Sequence, residues 1–169
     1  MTAARALAAN DFRPGFRLPP SLMRGIRGYA YLANVPVNPD QASLAGCTPQ
    51  ISELVDDTLP LVWHLMSRHS MNDAMPVCFI YINPRQHLTD NAEALLQLLQ
   101  GLDGMEAAVV PVSGSHASIL HSFRIILPQL KRHNLSRIRF MYIGDNANRR
   151  PMEAIAGDCH MPLFYHALY

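Results

Sequence analysis

Lysine is all but missing from this chain: Lys131 stands alone beside thirteen arginines. The phosphate-loop pattern GxxxxGK[ST] is absent with it, because Lys131 lies near the end of a predicted helix and far from any glycine-rich turn. GxGxxG is absent too, so no backbone cradle for a triphosphate is visible. Cysteine is scarce and odd in number. Cys47, Cys78 and Cys159 lie far apart, with no CxxC pair and no Cys/His cluster at zinc spacing. Charged residues make up only 16% of the chain and leave a net charge of +1, which gives no general drive toward nucleic acid. No apolar run approaches the roughly 20 residues of a membrane helix, and the first residues lack the apolar core and cleavage site of a signal peptide. A reducing cytoplasm is therefore the expected compartment.

What is present is a chain of 169 residues, 49% of them apolar, enough for one domain with a substantial core. Four almost purely apolar runs stand out: VCFIYIN (77–83), AAVVPV (107–112), IRFMYIG (138–144) and PLFYHAL (162–168). Helical spacings separate them, with Ala94, Leu95, Leu98 and Leu99 marking one helix over 90–100. Ile119, Leu120, Phe123, Ile126, Leu127 and Leu130 mark another over 117–133, which Pro128 should bend, and a short one is expected over 151–156. Upstream, YAYLANVPV (29–37) reads as a first strand. Thr48-Pro49 then caps a helix carrying Ile51, Leu54, Val55, Leu59, Val62, Trp63 and Met66, with a kink or restart expected at Pro60. Apolar strands alternating with helices predict an α/β three-layer sandwich around a mainly parallel five-stranded sheet. Residues 28–169 form that single domain, and 1–27, with five arginines against Asp11, form a basic proline-containing arm.

Sheets of this kind place ligand sites outside the carboxyl ends of their strands. The candidate ligand or partner residues are accordingly Asn83 and Arg85 after the second strand, Ser113, Ser115 and His116 after the third, and Asp145 and Asn146 after the fourth.

The order of elements from Tyr29 onward, with GYAYLANVP (28–36), VCFIYINPRQHLTDNAEALLQLL (77–99) and the stretch 109–150, resembles the later two-thirds of ParA/MinD-type ATPases, nearest the pilus-assembly branch called CpaE or TadZ. The resemblance implies a P-loop-NTPase-like topology from which the P-loop itself is lacking. The family's aspartate at the end of the second strand falls on Asn83, a poorer partner for Mg²⁺. Its adenine-reading asparagine falls near Gly144-Asp145, with Asn146 as a shifted substitute. The implied role is that of a degenerate or amino-terminally shortened member, a non-catalytic scaffold or positioning subunit in a secretion, pilus or cell-envelope assembly. No cofactor is expected.

An enzymatic alternative rests on GSHASI (114–119), which resembles the nucleophile turn of ClpP-type serine peptidases and implies Ser118 as nucleophile with His121 as its base. Against it, Pro84-Arg85 stands where that family has a glycine pair, and the serines equally serve as helix caps. The eight histidines form no set at recognised metal spacing, so no metal is expected. The chain ends on an apolar strand with no covering helix after it. That predicts self-association or docking on a protein partner, unless the arm folds back over the strand.

Overall fold

Apolar runs as continuous as these must be covered on both faces. The computed structural model describes residues 16–17, 30–33, 49–72 and 74–168, with the backbone alone for 16–17, 30–33, 49, 50 and 52. In order, its elements are β1 (Phe16–Arg17), β2 (Ala30–Ala33), α1 (Pro49–Arg68), β3 (Val77–Tyr81), α2 (Leu88–Gly101), β4 (Ala107–Val112), α3 (His116–Leu130), β5 (Ile138–Gly144), a 3₁₀ turn (Asn146–Asn148), α4 (Arg149–Asp158) and β6 (Leu163–Ala167). Of β3, β4 and β5, every residue except Arg139 is buried. The chain is thus an α/β protein built on a parallel sheet.

The strands lie side by side in sequence order. Four of them, β3 to β6, make up the packed parallel sheet, and this corrects the expected count of five full strands. Of the run 29–37, only the four residues of β2 are described, parallel to β3. Phe16 and Arg17, expected in the arm, pair antiparallel with Leu32 and Tyr31. This short bridge gives partners to backbone groups that would otherwise line the β2 edge. It also lies at the opposite edge of the sheet from β6. The rest of the arm, the loop 38–47 with Cys47, and the Thr48 cap lie outside the described residues.

Alternation along each strand sorts the side chains into two cores. Cys78, Ile80, Val109, Phe140 and Tyr142 face α2, α3 and α4. Val77, Phe79, Val110, Met141 and Ile143 face α1. Strands added in one direction by crossovers of one hand keep their helices on one face, as α2, α3 and α4 do here. α1 covers the other face.

The helices deviate from expectation in informative places. α1 is continuous through Pro60, with no restart. Pro60 and Asp56 are both exposed, so the carbonyl that loses its intrahelical partner faces water. Trp63 is 47% exposed and does not join the buried stripe, where Leu65 stands instead. α3 ends at Leu130 rather than 133, and Pro128 sits exposed in its last turn. α4 is longer than expected, ten residues, and buries Met152, Ile155 and Ala156.

Candidate functional site

Because β3, β4 and β5 are adjacent and parallel, their carboxyl ends bring the three candidate loops together. The polar groups there bond mainly to one another. Asn83 and the buried Asn91 are reciprocally bound: the Asn83 N–H donates to Asn91 Oδ1 at 3.1 Å, and Asn91 Nδ2 donates to the Asn83 carbonyl at 2.8 Å. Asn83 Oδ1 accepts the Arg85 N–H at 3.0 Å, an Asx turn that leaves Arg85 exposed. Ser113, buried, donates to the Ile82 carbonyl at 2.7 Å and accepts the Ser115 N–H at 3.0 Å. Ser115 caps α3, its Oγ accepting the Ser118 N–H at 3.3 Å.

Ser118 Oγ donates to Ser115 Oγ at 3.1 Å. Among the described residues no hydrogen bond joins it to a histidine, and His121 is exposed on α3. His116 turns the other way, its Nδ1 lying 2.9 Å from the Tyr142 hydroxyl. The geometry therefore builds a helix cap from the serines and a separate histidine–tyrosine pair.

That pair belongs to a second group, which the strand patterns did not reveal. Tyr142 stacks on Tyr165 of β6, ring centroids 5.1 Å apart. The Tyr165 hydroxyl donates to the Asp145 carbonyl. Arg149 lies over the Tyr165 ring at 5.7 Å and binds Glu153 at 3.1 Å. Asp145 Oδ1 accepts the Asn148 N–H at 3.0 Å, capping the 3₁₀ turn, and Asn146 is exposed. Burial pushes the Tyr142 hydroxyl pKa well above its usual value, reinforced by Tyr165. Burial, with Asp145 nearby, raises that of Tyr165 to about 12. Both hydroxyls remain neutral at physiological pH. The signal that could have found them is chemical: a tyrosine inside a buried strand needs a partner for its hydroxyl.

Among the described residues no buried side-chain nitrogen or oxygen lacks a hydrogen-bond partner. No group of three or more His, Cys, Asp or Glu converges there as a metal site either. Burial raises the Cys78 thiol to about 12, leaving it inert. The strand order runs without reversal, but α1 and α2 cover opposite faces, so the connections after β2 and β3 leave the sheet on opposite sides.

A cavity of about 600 Å³ lies at the other end of the sheet. His69, Ser70, Met71 and Asn72, after α1, form one wall, and Glu106, Ser136, Arg139, Pro162 and Phe164, at the starts of β4, β5 and β6, form the rest. No helix among the described residues is long and apolar enough to cross a membrane.

Fold and loops together define an α/β protein with a parallel sheet and self-satisfied carboxyl-end loops. Compared with family models, curated proteins and solved structures, the chain matches none.

Proposed function

We propose that this chain is a non-catalytic domain that acts by protein–protein association, as a scaffold or positioning subunit of a larger assembly. In this reading it resembles ParA/MinD-type ATPases, with a P-loop-NTPase-like topology from which the phosphate loop is missing. The observation that carries the association is β6. Among the described residues it is the last strand in the sheet order and pairs only with β5. Four of its five residues are only partly buried and the fifth is exposed, whereas β3 and β4 are buried throughout. Leu168, just beyond it, is 48% exposed.

The ladder also shows which backbone groups have no partner strand among the described residues. The Phe140 N–H donates to the Pro162 carbonyl at 2.9 Å, and the Leu168 N–H donates to the Gly144 carbonyl at 2.8 Å. Even-numbered residues of β6 thus face β5, and Leu163, Tyr165 and Ala167 turn their N–H and carbonyl groups outward. An unpaired apolar edge of this kind is a template for a strand from another chain.

Light scattering near micromolar concentration tests the reading. The expected mass is that of a dimer or larger species, reduced to a monomer by Ala167→Pro, which removes an outward donor and no β5–β6 bond. A monomeric wild type, unchanged on deletion of residues 1–27, overturns self-association. Isothermal titration with Mg-ATP separately tests the non-catalytic part. No binding is expected, and submicromolar binding with turnover overturns it.

A further inference from the structure

Arg139 interrupts a strand that is otherwise buried at every position. It lies on the α1 side of the sheet with Met141 and Ile143, opposite Ala108 of β4, where alternation calls for an apolar residue. Arg139 lines the cavity at the amino-terminal end of the sheet. Its one hydrogen bond among the described residues is a 3.2 Å contact from Nη1 to the Arg137 carbonyl. The nearby carboxylate, Glu106, is bound instead by Arg137 at 3.3 Å. Arg139 is half-buried and forms no ion pair among the described residues, so an anionic partner would offset the cost of its charge.

We propose that this cavity binds a small organic acid, its carboxylate held by Arg139 and its apolar body laid against Phe164, Pro162 and Met71. The volume, about 600 Å³, suits a small ligand. Phe164 is already braced edge-on by His69, ring centroids 4.8 Å apart, which gives a fixed aromatic wall. Ser70, Asn72 and Ser136 supply neutral polar groups around it. Two carbonyls at the carboxyl end of α1 are closed off from an anion here. The Met71 N–H closes on the Met66 carbonyl at 2.9 Å and the Ser70 N–H on the Ser67 carbonyl at 3.2 Å, with Ser70 in the left-handed region (φ 51°). A single guanidinium, with Nη1 already bonded to the Arg137 carbonyl, matches one carboxylate better than a phosphate dianion.

Isothermal titration of the full chain with phenylacetate tests this. Saturable one-to-one binding is expected, weakened about tenfold or more in Arg139→Gln by loss of the charge-assisted pair. Arg139→Lys, which keeps the charge and loses the fork, should fall between the two and guards against misfolding, checked by matching thermal melts. Arg85→Gln, at the opposite end of the sheet, should bind as wild type does. Phenylacetamide, the uncharged analogue, should bind about tenfold more weakly than phenylacetate. No saturable binding of phenylacetate, or equal binding by Arg139→Gln and wild type, overturns the proposal. Inorganic phosphate binding as tightly as phenylacetate, in an Arg139-dependent manner, overturns the assignment to a carboxylate.

Discussion

Phe140→Ala is expected to lower the unfolding free energy by about 3–5 kcal/mol, the usual cost of removing a buried phenylalanine. Phe140 is fully buried on the central strand β5 and meets Phe123 of α3 edge to face, centroids 4.9 Å apart at 73°. Tyr142, two residues on, brings its ring to 6.4 Å on the same face. Truncation removes the edge-to-face contact as well as the burial, and the space left is bounded by strand backbone and by a helix held at its other contacts. Collapse into it is therefore limited. For a chain of this size the loss corresponds to a fall in Tm of roughly 6–20 °C. Urea denaturation followed by circular dichroism measures it directly, with an unchanged m-value indicating that stability alone has moved. Trp63→Ala provides the contrast. With Trp63 47% exposed on α1, its removal should stay within about 0.5 kcal/mol. A loss as large as that of Phe140→Ala would mean that Trp63 is buried after all.

Trp63 and Phe140 also mark what could and could not be read from the residues. Strand identity was legible because the runs around Phe79, Val110 and Phe140 are apolar without a break, a pattern that only a doubly covered sheet uses. Helix facing was legible where leucines repeat, as at Leu95, Leu98 and Leu99. At Trp63 size misled, because the tryptophan follows Val62 on the helix surface and the buried stripe continues through Leu65 and Met66. The strand count failed at β1 and β2, where pairing depends on backbone partners distant in sequence rather than on side-chain pattern.

The three candidate loops lie at the carboxyl ends of β3, β4 and β5, while the adjacency of those strands, which brings the loops together, comes from the sheet order and was not read from the residues. What each polar group does there was not legible. Ser113, Ser115 and Ser118 fitted a nucleophile turn or a cap, and the difference lies in where the histidines point: His116 binds Tyr142 and His121 is exposed. The cavity at the amino-terminal end was missed because its walls come from four separate segments, joined only by the fold. The one local signal was Arg139 itself, a charge inside an apolar strand.

Gly144→Ala is expected to cost about 2 kcal/mol, within the range for overpacking a close-packed interior, and to lower Tm by roughly 4–8 °C. Tyr142 and Gly144 share a face of β5, and the Tyr142 ring leans toward the carboxyl end of the strand, across the space a side chain at 144 would fill. A Cβ there meets Tyr142 Cε1 head-on and comes within 3.2 Å of His116 Nδ1. The ring has nowhere to swing: it is fully buried, stacked on Tyr165, and tied through its hydroxyl to His116 at 2.9 Å. Relief must come from breaking that hydrogen bond or from moving the start of α3. The substitution should therefore shift the His116 ring resonances in an NMR spectrum as well as the melting curve. Gly157→Ala is the matched comparison, because an added Cβ at that exposed position of α4 meets nothing within 4 Å. Alanine there should stabilise the protein by about 0.5–1 kcal/mol through helix propensity alone. The same substitution at two glycines is thus expected to have opposite signs. If Gly144→Ala were neutral with an unchanged His116 spectrum, the close approach of Tyr142 and His116 over the β5 carboxyl end would be wrong.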